Sequence, residues 1–457
     1  MPDTQPTIAP LPAVILSPIR TGVPAAGGTL EVLVRVQAPA MPVQAGQDRP
    51  KARPPLRLAL VVDRSGSMFG EPLTQALRCV NHIAGRLQPT DQVAVVLYDD
   101  NVQHPVPLRA APNAAAVHAA LAVIESGGRT NLYAGWEAGA RQLESGTRDS
   151  ISRVILLSDG QANQGLVDQA QIEQHCAQWL APGVSTTTVG LGRGFNEDLM
   201  LGMARAGGGQ QYYGQHAEDL FDGFDEELAL LEAMCFRKMR IKLVAGPGVI
   251  VEPLGLVRQN PDQTINLSDL AWGAESWVLV RLHVAPSSPN DPQAVFAGMG
   301  QRALLTAVLQ AESMDGHAVS GDSPVLALDS LDPVTWQALP QDEMVAQRLL
   351  EVQFGESGAR VRSLLLAGDT TAAQELLARM EASAATHPWL KDKVQRLKEL
   401  AERDAVLAQK ELRYNQVKMS SRLSSDDVLL YAADETDRGD IPAFLRRKSS
   451  EGKGRKT

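Results

Sequence analysis

The segment Leu56–Gly70, LRLALVVDRSGSMFG, constrains this chain more than any other. Leu56, Leu58, Leu60, Val61 and Val62 form a short apolar run of strand formers. It breaks at once into a loop that carries Asp63, Ser65 and Ser67 at alternate positions. The pattern predicts a buried strand that delivers three oxygen donors at its carboxyl end. Pro72 can open a helix, and Leu73, Ala76, Leu77, Val80, Ala84 and Leu87 recur at helical spacing, so the unit reads as strand, oxygen-rich loop and amphipathic helix. A hard divalent cation such as Mg²⁺ takes octahedral oxygen ligands and gives up its waters reluctantly. One carboxylate with two hydroxyls meets that demand and leaves a position open to a carboxylate from elsewhere.

Alternation of strand and helix continues to about residue 233. Strands are predicted over 56–62, 92–98, 153–157, 184–190 and 210–213, with helices near 71–87, 113–125, 131–144, 167–180, 196–205 and 217–233. This order predicts a doubly wound α/β domain over 56–233, a mostly parallel sheet covered by helices on both faces. Ligands of such sheets sit beyond the strand carboxyl ends. Two later loops fall there: SGGRTNLYAG, with Thr130, and RVILLSDGQANQG, with Asp159. Alone, each loop reads equally as a polar turn or a helix cap.

The spacing Asp63-x-Ser65-x-Ser67 after an apolar strand resembles the metal-ion-dependent adhesion site (MIDAS) of von Willebrand factor A domains. In that family a threonine and a second aspartate from two later loops complete the site, and Thr130 and Asp159 stand in those places. The resemblance implies that Ser65, Ser67 and Thr130 touch the metal directly, while Asp63 and Asp159 act directly or through water. It implies Mg²⁺, or Mn²⁺ or Ca²⁺, as the cofactor. The partner it implies is a protein presenting Asp or Glu to the metal. Arg129 stands where a glycine is commoner in the family.

On either side of this domain the pattern changes. Residues 1–28, rich in proline and small residues, read as a flexible leader, and TLEVLVRVQAP from Thr29 alternates as a half-buried strand does. After Phe236, strand-like segments alternate with Gly, Pro, Asn and Asp turns to about residue 330. Strands on both sides predict that the α/β domain is inserted into an antiparallel β-sandwich made of 29–50 and 236–330, an order similar to the hybrid-domain arrangement of integrins and of bacterial proteins related to inter-α-trypsin inhibitor heavy chains. Residues 332–418 read as a helical region, with DEMVAQRLLEVQFG and GARVRSLLLAGD as separate segments and one long helix from Trp389. The remainder, 419–457, reads as a disordered tail. Within it Ile441, Phe444 and Leu445 of DIPAFLRR are isolated apolar residues suited to partner binding. That segment resembles the carboxy-terminal peptide of the bacterial tubulin-like division protein.

The net charge of −10 disfavours a nucleic-acid partner. No apolar run approaches the ~20 residues that span a bilayer, and the first ten residues lack the pattern of a signal peptide, which predicts a protein that stays in the cytoplasm. Three separated cysteines fit neither a disulfide scaffold nor a zinc site. No phosphate-binding loop, nucleophile elbow or His-Glu-x-x-His motif occurs. The sequence therefore predicts a metal-dependent protein-interaction module and no enzyme. A structural scaffold, with contacts made by the helical region and tail, and a metal-dependent hydrolase remain as alternatives.

Overall fold

In the computed structural model the described residues are 11–40, 54–110, 114–122, 124–145, 150–159, 162–191, 195–214, 217–255, 257, 259–286, 301–384, 388–405, 408–409 and 411–413. Three strands come first: β1 (Ala13–Pro18), β2 (Gly22–Pro24) and β3 (Gly28–Gln37). An α/β unit follows, with β4 (Leu56–Asp63), α1 (Glu71–Arg86), β5 (Gln92–Tyr98), β6 (Val102–Ala110), α2 (Ala114–Leu121), α3 (Leu132–Gln142), β7 (Ile151–Ser158), α4 (Gln169–Leu180), β8 (Val184–Leu191), α5 (Glu197–Ala206), β9 (Gly208–Gly214) and α6 (Ala217–Glu232). Strands then return as β10 (Met234–Ala245), β11 (Val249–Pro253), β12 (Thr264–Asn266), β13 (Leu270–Ala271), β14 (Glu275–Val284), β15 (Gln301–Ser313), β16 (Ala318–Asp322) and β17 (Leu326–Leu331). Four helices close the described chain: α7 (Pro333–Ala338), α8 (Glu343–Leu366), α9 (Thr370–Ser383) and α10 (Pro388–Arg403). Among the described residues no helix is long and apolar enough to cross a membrane.

The central sheet runs β6-β5-β4-β7-β8-β9 and is parallel except for β6. Every residue of β4 is buried, because both faces of the sheet are covered. Leu56, Leu58, Leu60 and Val62 face a core shared with α1 and α6, while Ala59 and Val61 face the core of α3, α4 and α5. Helix α3 comes close to the sheet through two glycines. A Cβ at Gly135 would lie 2.3 Å from the Tyr98 ring, and one at Gly139 would lie 2.4 Å from Val61 Cγ2.

The outer strands form two sheets, β1-β3-β14-β11 and β12-β10-β15-β17-β2, with β13 on β10 and β16 on β15. Residues of both, among them Val32, Val34, Trp277, Ile241 and Leu309, share one apolar core. The last turn of α6 joins the two halves: Leu228 and Leu231 pack in the α/β core, whereas Leu230 and Ala233 pack in the sandwich core. Buried Arg153 on β7 strengthens the junction. Its guanidinium pairs with Glu227 of α6 and lies 3.6 Å from Asp269 between β12 and β13.

Several expectations are corrected. Within the supposed leader, residues 13–18 and 22–24 are strands, and β2 pairs in parallel with β17, so the second sheet is not purely antiparallel. Strand β6 was not foreseen in the sequence, because Pro105 and Pro107 interrupt it; prolines are tolerated there since β6 is an edge strand. The two helical segments before residue 367 are one helix, α8, running through buried Gly355 and Gly358. Interior glycines cost a helix only ~1 kcal/mol each, which packing offsets. The long helix from Trp389 ends at Arg403, with helical conformation resuming at 405. Residues 41–53 and the tail with Ile441, Phe444 and Leu445 lie outside the described residues.

Candidate metal centre

Strand β4 lies between β5 and β7, so the direction in which the chain adds strands reverses there, and a crevice opens beyond its carboxyl end. Asp63 is the final residue of β4 and has no exposed surface. The chain then tightens: Ser65 N donates to Asp63 Oδ1 at 2.8 Å, and residues Gly66–Met68 form a single 3₁₀ turn that keeps Ser65 and Ser67 hydroxyls 3.1 Å apart. Asp159 follows directly on the last residue of β7, and Ser67 Oγ donates to its Oδ1 at 2.9 Å. Ser158 closes the other side, its Oγ donating to Asp63 Oδ2 at 2.6 Å.

Thr130 belongs to the loop that precedes α3 and is 2% exposed. Backbone bonds tie this loop to its neighbours. Gly66 N donates to Gly128 O at 3.1 Å, and Gly127 N donates to Arg64 O at 2.8 Å. Toward the third loop, Thr130 N donates to Asn163 Oδ1 at 2.9 Å, and Asn163 N donates back to Thr130 O at 3.1 Å. Direct side-chain bonds thus join Asp63, Ser65, Ser67 and Asp159, while Thr130 is held beside them by its backbone. Its hydroxyl has no hydrogen-bond partner among the described residues.

Burial pushes the Asp63 carboxyl above its usual range, against the pull of the hydrogen bonds from Ser158 and Ser65. Asp159 is pushed up to about 6, first by burial and further by the negative charge of Asp63, with the Ser67 bond opposing. Burial, then the field of Asp63, also raises the phenol of Tyr98 well above its ordinary value. No basic side chain among the described residues pairs with Asp63 or Asp159; Arg64, in the same loop, turns away to Asp99 Oδ2 at 2.7 Å. Two desolvated carboxylates and three hydroxyls without a cation of the chain's own form a donor set that fits a hard divalent ion. Such an ion would supply the missing positive charge and a Lewis-acidic position for one further oxygen ligand.

Sequence reasoning did not single out Ser158 or Asn163. Ser158 was readable as the residue beside Asp159, but nothing local marks Asn163 as the clasp of Thr130.

A doubly wound α/β domain with oxygen-donor loops converging at its strand reversal has a Rossmann-like architecture. More particularly, residues 58–225, rather over a third of the chain, match the sequence model of the von Willebrand factor type A domain. The chain is 24% identical over 262 residues to an uncharacterized protein of Synechocystis sp., covering 54% of this chain and 62% of that one. It is 28% identical over 189 residues to human inter-alpha-trypsin inhibitor heavy chain H3, covering 38% of this chain and 21% of that one. The match thus spans less than two thirds of either relative. A solved von Willebrand factor type A protein from Catenulispora acidiphila superposes with a TM-score of 0.68 at 15% identity, covering 92% of this chain and 99% of the other. That likeness of fold reaches beyond residues 58–225 into the outer strands and helices.

Proposed function

We propose that this A domain binds one divalent cation, Mg²⁺ by preference, through Asp63, Ser65, Ser67, Thr130 and Asp159, and that the cation takes up an acidic side chain of a protein partner. Domains of this family are often metal-dependent protein-interaction modules. The observation that carries the reading is the Ser67–Asp159 bond between two loops 92 residues apart, beside a buried Asp63 that lacks a counter-charge. Hydroxyls and carboxylates poised on each other in this way exchange a hydrogen bond for a shared cation with little rearrangement.

The role is one of binding and not catalysis. Among the described residues no histidine or lysine joins the bonded cluster, and Asp159, the acceptor of the Ser67 hydroxyl, is itself one of the proposed ligands and so is engaged by the cation. Partner capture from a lysate of the native host tests the proposal. It should depend on Mg²⁺, vanish with chelator and vanish for Asp63→Ala, whose fold persists because the centre is a crevice apart from the apolar cores. Capture that survives both treatments would assign the contacts to another surface.

A further inference from the structure

Tyr98, the last residue of β5, is fully buried, yet its hydroxyl has no hydrogen-bond partner among the described residues. A buried polar group left unpaired is costly, and in a native fold it asks for a physical reason. The ring has one of its own, because it packs on Gly135 of α3, where an added Cβ would stand 2.3 Å away. A phenylalanine would fill that place equally well, so the ring does not account for the hydroxyl.

The sheet sets where the hydroxyl stands. Asp63 and Tyr98 are paired in register across β4 and β5, and one residue earlier Val62 is paired with Leu157 across β4 and β7. Val61, Val96 and Leu156, each two residues before Asp63, Tyr98 and Ser158, pack in the core under α3, and side chains two apart on a strand share a face. Tyr98, Asp63 and Ser158 therefore form one row on that face, at strand spacings of about 4.8 Å. The phenol oxygen reaches the side chains of Asp63 and Ser158 but is bonded to neither.

An ionised carboxylate has about four acceptor positions. At Asp63, Ser65 N takes one on Oδ1 and Ser158 Oγ takes one on Oδ2. A cation, directly or through a water, takes another. The Tyr98 O–H, which bonds to nothing else among the described residues, faces what remains. We infer that Tyr98 is a positioning residue of this centre: its phenolic O–H donates to the Asp63 carboxylate when the cation is held, and so fixes the turn of that carboxylate toward the cation. The inference rests on the cation reading above. Tyr98 touches Asp63 and not the cation, so it acts through Asp63. Its ring meanwhile seats α3, the helix that Thr130 leads into, and one side chain thus ties two of the three loops together. Groups that hold a ligating carboxylate in this way are worth about 10- to 100-fold in metal affinity.

Tyr98→Phe keeps the ring against Gly135 and removes the hydroxyl alone. In calorimetric titration of the full chain with Mn²⁺, the variant should bind about tenfold more weakly than the native chain. In urea unfolding with EDTA it should be no less stable, since it loses a buried hydroxyl that had no partner. Mg²⁺, which does not absorb in the near ultraviolet, should shift the tyrosine band of the native chain, and the shift should shrink in Tyr98→Phe. Weakened binding matched by an equal loss of stability in EDTA would assign the hydroxyl to the fold and overturn the inference. So would a native chain that binds Mn²⁺ while its tyrosine band ignores Mg²⁺, a measurement that needs no variant. Equal Mn²⁺ affinity for the native chain and Tyr98→Phe sinks the role of Tyr98 alone, whereas a native chain that binds no Mn²⁺ sinks the cation reading with it.

Discussion

Removing one charge from the centre should stabilise the metal-free protein. Asp159→Asn keeps an oxygen to accept the Ser67 hydroxyl but deletes the carboxylate that burial and Asp63 hold at a pKa of about 6, against an ordinary 3.8. At 1.36 kcal/mol per pH unit, that gap sets an upper bound of about 3 kcal/mol on the destabilisation carried by ionised Asp159. The carboxylate keeps some contact with water, and halving for screening leaves about 1.5 kcal/mol. The sign follows from linkage. Below pH 4 the carboxyl is protonated in folded and unfolded chains alike and its contribution to stability is intact; that contribution is lost as pH rises through 6. Urea unfolding in EDTA at pH 7.5 should therefore find Asp159→Asn more stable than the native chain by about 1.5 kcal/mol, shrinking to about a third of that at pH 4.5. With Mg²⁺ at a hundred times its Kd the order should reverse, because the native chain alone gains about 2.7 kcal/mol. An Asp159→Asn variant no more stable than the native chain in EDTA at pH 7.5 would refute the picture of uncompensated negative charge.

Other outcomes follow from the packing. Arg153→Met leaves Glu227 charged in a buried setting, where among the described residues the Thr187 and Tyr212 hydroxyls still reach it, and should cost about 3–5 kcal/mol in chemical denaturation. Glu227→Gln with Arg153→Met should recover much of that loss. Gly135→Ala forces a methyl into the Tyr98 ring and should lower stability by about 1–3 kcal/mol, read as a fall in Tm. Asp198→Ala removes the carboxylate that Arg362 and Arg413 share and should raise hydrogen exchange at residues 411–413 while leaving the central sheet protected.

How far the sequence could be read depended on whether a feature's cause was local. The strand ending in Asp63 was legible because its apolar run is uninterrupted and its donors alternate at once afterwards. Asp159 was legible because its loop follows an apolar strand and leads to a helix, and Thr130 because its glycine-bounded loop opens a helix. Residues 13–18 and 22–24 were missed because the prolines around them mask short strands whose partners, β3 and β17, lie elsewhere in the chain. Strand β6 was hidden by the same residue type, and α8 by glycines that only its buried packing explains. At the candidate centre, the oxygen-donor side chains were readable, but the clasp of Thr130 by Asn163 was not, since a tertiary bond between two turns leaves no periodic trace.

The most direct measurement is a calorimetric titration of the EDTA-stripped, dialysed full chain with Mn²⁺ at pH 7.5, alongside Asp63→Ala and Ser67→Ala. The account predicts one Mn²⁺ per native chain and none for Asp63→Ala, with weakened binding for Ser67→Ala. A native chain that takes up no Mn²⁺, or an Asp63→Ala variant that binds it unchanged, would contradict the claim that these three loops exist to hold a cation.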